Sequence, residues 1–262
     1  MSTTRLAIIG GTGFYRLPDL ELQDSLDLDT PFGTPSAPIR LGQLAGQPVA
    51  FLARHGEQHQ FAPHRVNYRA NLWALREVGA GRIVAVNAVG GIAPDCPPEA
   101  IVIPNQLIDY TWGREQSFFD GECAPLKHID FTNPYSDALR EQIIQQAIEL
   151  QLTVHSHGTY GVCQGPRLET AAEIRRMAID GCDIVGMTGM PEACLARELE
   201  IPYACLALVV NPAAGVVEQT ISMQEIEQVL MGSMNNVRRL LLALAAQFAV
   251  PTAELKIASA PG

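Results

Sequence analysis

Short, wholly apolar runs alternate along this chain with longer stretches of helical periodicity. RLAIIG opens the series as a buried strand running straight into the glycines of GGTG at 10–13. A Pro/Gly-rich stretch at 31–48 carries the strand-like pieces APIRLGQL and QPVAFLARH. Val66, Ala70, Trp73 and Ala74 share one face of a helix expected over 64–79, with Gly79 as its stop. RIVAVN (82–87) reads as a short buried strand broken by Gly90 and Gly91, and AIVIPNQLIDYT (100–111) as a strand passing into a loop. In NPYSDALREQIIQQAIELQ, Asn133 is the expected cap and Pro134 the first helical residue, with Leu139, Ile143, Ala147 and Leu150 facing inward. Thr170 and Glu173 make a capping box ahead of Ile174, Met177 and Ala178. DIVGM (183–187) is a strand, Pro191 opens a helix, and YACLALVV (203–210) is a fully apolar strand. Ser222 and Glu225 form a second box, for a long helix bearing Ile226, Leu230, Val237, Leu241, Leu244 and Phe248.

This alternation runs without linker, repeat or low-complexity break. It predicts one α/β domain over 1–262, with a mixed, largely parallel central sheet flanked by helices. Residues from about 250 onward are expected to pack loosely. In such folds ligands sit where strands end and loops begin. The chain has 262 residues, 47% of them hydrophobic, which is enough for a sizeable core. Its formal net charge of −10 makes nucleic acid and anionic membranes poor partners. No apolar run approaches the roughly 20 residues that a bilayer crossing needs. The start, MSTTRLAIIGGTG, lacks the apolar core of a signal peptide, so a cytoplasmic location is expected. Six cysteines include no CxxC pair, which favours free buried thiols over a zinc or redox motif.

The residues that follow each apolar strand hold the candidate chemistry. GGTG can be a tight turn or an oxyanion cradle built from backbone amides and the Thr12 hydroxyl. It does not complete a dinucleotide fingerprint, because Arg16 stands where a third glycine belongs. RHGEQH places Arg54, His55 and His59 just after a strand, a pattern open to an anion site or to a plain surface loop. No cysteine or carboxylate stands at ligand spacing from these histidines, so a metal ranks well behind an anion. VNAVGG offers main-chain amides around Asn87 and Ala88. Glu169 precedes a helix cap and either favours the helix N-terminus or faces a ligand. Thr188 either caps the following helix or bonds an anion. Asn211, directly before Pro212, is by itself an ordinary turn residue.

Together, IIGGTGFY, RHGEQHQFAPHRVNYRANLWAL, QSFFDG, GPRLET, DIVGMTGMPEACLARE and the strand ending at Asn211 resemble the purine nucleoside phosphorylase family, in its methylthioadenosine phosphorylase branch. The resemblance covers nearly the whole chain. It implies phosphorolysis of a nucleoside to a free purine and a pentose 1-phosphate, with inorganic phosphate as co-substrate and no metal or organic cofactor. It implies that Thr12, Arg54, His55, Ala88 and Thr188 hold phosphate and that Met187 packs under the sugar. Tyr160 and Leu168 are then expected to line the base and sugar pocket. It also implies a homotrimer in which His128 closes the neighbouring subunit's pocket. On this reading Arg54→Ala is expected to weaken phosphate binding while leaving the fold intact.

Two departures from the branch bear on substrate. The adenine-specific enzymes carry two aspartates where this chain has Asn211 and Ala213, and a serine where it has Glu169. An amide gives and accepts at once, and a carboxylate accepts N1–H, so Glu169 and Asn211 suit a 6-oxopurine. The inosine and guanosine enzymes carry a histidine for the 5′-hydroxyl where this chain has Met223, with Ile226 one turn on. An apolar, polarizable side chain there suits a methylthio group. The combination resembles the S-methyl-5′-thioinosine phosphorylases, with methylthioadenosine phosphorylases and broad 6-oxopurine nucleoside phosphorylases as the alternatives. A non-catalytic purine-binding regulator is the rival from another class, and the full phosphate set argues against it.

Overall fold

The computed structural model describes residues 5–122, 124–218 and 222–248. The expected loose tail from about 250, and Cys123, lie outside them. The first strand, β1 (Arg5–Gly10), is flanked in parallel by β4 (Gln47–Ala53) and by β5 (Ala80–Gly91). Two antiparallel strands, β3 (Ile39–Leu44) and β2 (Glu21–Leu26), extend the sheet beyond β4. The short strands β6 (Ile101–Val102) and β8 (Val154–His155) pair with each other, and β6 also pairs with β11 (Tyr203–Pro212). The other end of the sheet runs through β10 (Ile184–Gly186), β9 (Thr159–Val162) and β7 (Gln106–Asp109). The result is the expected mixed, largely parallel sheet, with eleven strands among the described residues in one continuous network.

Strand β5 decides the shape of that network. RIVAVN does not stop at Gly90–Gly91; the strand continues through both glycines. Its first half lies between β1 and β11, both parallel to it, and its last two residues pair antiparallel with β10. The sheet therefore forks at the end of β5. Glycine is required at Gly91, where a Cβ would stand 1.9 Å from the Cys96 carbonyl oxygen. Strand β2 shows no hydrophobic alternation, because it is an exposed edge with no buried face to demand one.

Helices cover both faces. On one, α1 (Tyr68–Glu77) packs against α4 (Gly189–Glu198); on the other, α2 (Asp137–Glu149) packs against α5 (Met223–Gln247). The fully buried Ile9, Leu52 and Ile83 belong to the first core layer, and Ile8, Phe51 and Val84 to the second, as strand alternation requires. Helix α3 (Ala171–Ile179) closes a smaller apolar cluster with Ile174, Met177, Val185 and Ala213.

Two helix starts differ from expectation. Helix α1 begins after a single 3₁₀ turn at Pro63–Arg65, so Val66 precedes it, and Asn67 caps it by accepting the Ala70 N–H. Helix α2 is capped by Ser136 rather than by Asn133 with Pro134. The Ser136 hydroxyl accepts the Leu139 N–H, and Asp137 sits in the positive first turn. Ser222 caps α5 through the Glu225 N–H. The five described cysteines are free and buried. No helix among the described residues is long and apolar enough to cross a membrane.

At α3 the capping box forms as expected, with Thr170 accepting the Glu173 N–H and Glu173 accepting the Thr170 N–H. Thr170→Ala removes one partner of this box and is expected to cost about 1 kcal/mol. Urea unfolding of both proteins checks this; equal midpoints at equal slopes would leave the box without energetic weight.

Candidate functional site

The C-terminal ends of β1, β4, β5 and β11 point the same way because the ladders that join them are parallel. The loops that follow them, and the loop after β10, enclose a cavity of about 510 Å³, within the usual range for small-molecule sites. Thr12, Arg54, His55, Ala88, Thr188, Met187, Leu168, Glu169, Asn211, Met223 and Ile226 all line it. Tyr160 does not: its side chain is fully buried behind the wall, its ring against Gly186 and Gly189. His128 is exposed and lies outside the cavity of its own chain.

Arg54 follows β4 and is 1% exposed. Its Nε donates to Glu192 Oε1 at 2.5 Å and its Nη2 to Glu192 Oε2 at 2.9 Å, so the pair is bidentate. Nη1 donates to the Val86 carbonyl at 3.1 Å, and Nη2 also reaches Asn87 Oδ1 at 3.4 Å. Burial alone would lower the guanidinium pKa, but the charge and hydrogen bonds of Glu192 more than reverse this, and the net shift is upward. One Nη1 N–H remains for a ligand. Glu192 is fully buried and also accepts from the Tyr203 hydroxyl at 2.9 Å. Arg54→Ala would strand this carboxylate at a cost of about 3–5 kcal/mol. The expectation that the substitution spares the fold is therefore corrected.

Asn87, fully buried on β5, turns the same network toward the cavity. Its Oδ1 faces Arg54, so its Nδ2 is free to donate to Thr188 Oγ1 at 2.8 Å. Thr188 stands at the N-cap of α4, yet its side chain makes no capping bond. Its oxygen accepts from Asn87, which leaves its O–H proton to give to a ligand. Gly11, after β1, must be glycine for the same assembly. A Cβ there would lie 2.5 Å from the Val86 carbonyl oxygen and 2.8 Å from Arg54 Nη1.

His55 Nδ1 lies 2.8 Å from the Phe61 carbonyl oxygen. A carbonyl only accepts, so Nδ1 carries the proton and Nε2 keeps its lone pair. Burial, aided by the Arg54 charge, pushes the imidazole pKa down to about 4, so the ring is neutral at physiological pH. His59 stacks on it at 4.7 Å between ring centres, with its own Nδ1 2.8 Å from the Tyr15 hydroxyl.

On β11 the register against β5 shifts between Val209 and Asn211, a bulge that re-aims the side chain. Asn211 is thus part of the strand rather than of a turn. One of its amide hydrogens goes to the Pro212 carbonyl at 2.6 Å. Ala213 is buried against Gly90. Glu169 is half-buried and accepts from the Cys163 thiol at its Oε1. The carboxylate and its hydrogen bond push the already buried thiol pKa further up. On the remaining wall, Ile226 is buried and Met223, the first residue of α5, is 62% exposed. Leu230, further along the helix, is core.

Asn87 and Glu192 are the functional candidates that the residue pattern left unassigned. Glu192 carried a signal: it is a charged residue inside the otherwise apolar run from Met190 to Leu195. Asn87 carried a weaker one, as a polar residue inside an apolar strand.

Over residues 5–246 the chain matches the Phosphorylase superfamily. It is 54% identical over 235 residues to a probable S-methyl-5′-thioinosine phosphorylase of Pseudomonas syringae pv. tomato, covering 90% of this chain and 96% of that protein. A 6-oxopurine nucleoside phosphorylase of Pyrococcus furiosus is 44% identical over 244 residues, covering 91% of each. Among solved structures, methylthioadenosine phosphorylase from Schistosoma mansoni in complex with adenine superposes with a TM-score of 0.89 at 31% identity, covering 93% of this chain and 91% of the other. With a forked α/β sheet, a cavity at its strand ends and these relatives, the chain belongs to the Phosphorylase superfamily.

Proposed function

We propose that the protein catalyses phosphorolysis of S-methyl-5′-thioinosine, giving hypoxanthine and S-methyl-5-thio-α-D-ribose 1-phosphate, as a step of purine salvage. One observation carries the reading. Glu169 and Asn211, a 6-oxopurine pair, line the same cavity as apolar Met223 and Ile226 and as Thr12, His55 and Thr188. The similarity to proteins named for this nucleoside and for 6-oxopurine nucleosides supports it. Inorganic phosphate is the co-substrate, and the residues need no metal or organic cofactor. By family analogy the enzyme works as a cytoplasmic homotrimer, with His128 of one subunit closing the next subunit's pocket.

The chemistry follows from the side chains. A phosphate oxygen attacks C1′ while the N9–C1′ electron pair leaves with the purine, and solvent supplies a proton to N7. Asn211 Oδ1 accepts that N7–H, and the amide hydrogen not held by Pro212 goes to O6. Glu169 accepts N1–H. Glu192 cancels most of the Arg54 charge, so the phosphate is held by aimed donors more than by net charge: the remaining Nη1 N–H, the Thr188 and Thr12 hydroxyls and backbone amides. The lone pair on His55 Nε2 accepts the P–OH proton of monohydrogen phosphate.

Absorbance assays with a nucleoside panel, with and without phosphate, test the assignment. The 6-oxopurine nucleoside is expected to be cleaved far faster than S-methyl-5′-thioadenosine, within a ceiling of roughly 10⁴-fold for a buried hydrogen-bond mismatch. An Asn211 flip lowers that ceiling. The pair Asn211→Asp with Glu169→Ser is expected to recover adenine activity. Preference of the wild type for the adenine nucleoside would reverse the base assignment.

Met223→His exchanges an apolar contact for a hydroxyl partner. The ratio of kcat/KM for inosine over the methylthio nucleoside is expected to rise, by about 10-fold for one contact. A constant ratio would place Met223 outside the sugar subsite.

His55 supplies a pH prediction. Its folded pKa, about 4, lies below its ordinary value of 6.5, so between these values the unfolded chain binds the extra proton. Stability therefore rises with pH across this window and is lost as pH falls through about 4. His55→Gln is expected to flatten the slope of the urea midpoint between pH 4 and 6.5. An unchanged slope would show that the ring is not buried in its neutral form.

A further inference from the structure

Arg114 lies between strand β7 and helix α2 and lines neither the cavity nor any part of the chemistry assigned above. It is half-buried, and its guanidinium spends its donors on two separate loops of the site. Nη1 donates to the carbonyls of Met187 at 2.8 Å and Met190 at 2.6 Å. Nη2 donates to the carbonyls of Gln164 at 2.8 Å and Cys163 at 3.3 Å, and Nε to the Gln164 side chain at 3.2 Å. The guanidinium also lies over the Tyr68 ring at 5.6 Å. No described carboxylate forms an ion pair with it; its neighbour Glu115 is taken by Arg69.

What those carbonyls do gives the clamp its meaning. A peptide unit is planar, so fixing the Met187 C=O also fixes the direction of the Thr188 N–H, on the loop assigned to phosphate. In the same way, fixing the Gln164 C=O fixes the Gly165 N–H, at the root of the loop that carries Leu168 and Glu169. One rigid fork thus spans the loop that holds phosphate and the loop that reads the base. Carbonyls rather than carboxylates surround it, so its role is to set distances between backbone segments. Lysine, a single point donor on a flexible stem, cannot make this set of bonds.

We propose that Arg114 is a positioning residue that locks the phosphate loop (187–190) and the base loop (163–169) in register. The inference rests on the phosphorylase reading, and its test separates the two. Wild type, Arg114→Lys and Arg114→Met are compared by steady-state kinetics with phosphate and nucleoside varied in turn. Calorimetry then gives the Kd of inorganic phosphate alone and of hypoxanthine alone, without turnover. For folded variants, both KM values and both Kd values are expected to rise together, with kcat falling less. The fall in kcat/KM is expected to reach about 10²-fold, the scale of a misplacement near 1 Å. If Arg114→Met does not fold, Arg114→Lys, which keeps the stem and the charge, carries the comparison. A merely structural residue would lower the melting temperature and leave the KM and Kd values of the folded protein unchanged; that result, or movement of one ligand's values alone, overturns the proposal. A wild type that cleaves a different nucleoside revises the substrate only, and the same variants judged on that nucleoside still decide the role of Arg114.

Discussion

The ion pair between Arg54 and Glu192 joins residues 138 positions apart, both withdrawn from water. Removing two charges from solvent is costly, and their attraction compensates only when geometry is good and further hydrogen bonds satisfy the groups left over. Here the geometry is bidentate, Val86 and Asn87 take further guanidinium hydrogens, and Tyr203 serves the second carboxylate oxygen. The pair thereby ties the end of β4 to the first turns of α4, across β5. Either partner without the other is an uncompensated buried charge, so the site and the fold share one interaction. It also sets the electrostatic character of the cavity. In a chain of net charge −10, an arginine neutralised by its own glutamate would leave the proposed anion binding to directed hydrogen bonds.

Those hydrogen bonds depend on polarity being passed in one direction. Arg54 fixes the Asn87 amide, Asn87 donates to Thr188, and Thr188 is left with a proton facing the cavity. His55 is oriented by a different neighbour, the Phe61 carbonyl, and presents a lone pair instead. A site that offers both a donor and an acceptor to an oxyanion is matched to one that still carries a proton. The fork in the sheet makes room for this arrangement. β5 keeps β11 along one edge to its end, while on the other edge its partner changes from β1 to β10, and the crevice opens where the partners change.

The proposed base selectivity rests on fewer contacts. The Asn211 bulge and the Glu169 loop belong to elements far apart in sequence, β11 and the segment before α3. Each is held by its own local device, a register shift in one case and a capping box in the other. Arg114 bridges the Glu169 loop to the loop carrying Thr188. The loops proposed to read the base and to hold phosphate are therefore mechanically linked.

Much of the architecture is legible in the sequence. Apolar runs such as YACLALVV and the helical stripe from Ile226 to Leu244 declare their structure because burial imposes a period on them. Thr170 with Glu173 declares a cap because the bonds are local. The elements that were not legible lack such a local cause. Strand β2 buries no face, β5 runs through Gly90 and Gly91 because folding brings Val185, Ala213 and the Cys96 carbonyl against them, and Ser136 competes with the equally suitable Asn133 as a cap. For the site, strand-end residues and the family motifs brought Thr12, His55, Thr188, Glu169 and Asn211 to one cavity. The placement of Tyr160 behind the wall, the pairing of Arg54 with Glu192, the tautomer of His55 and the span of Arg114 came only from the tertiary structure. Periodicity and capping are set by neighbours along the chain, whereas charge partnership and hydrogen-bond direction are set by groups that only folding brings within reach.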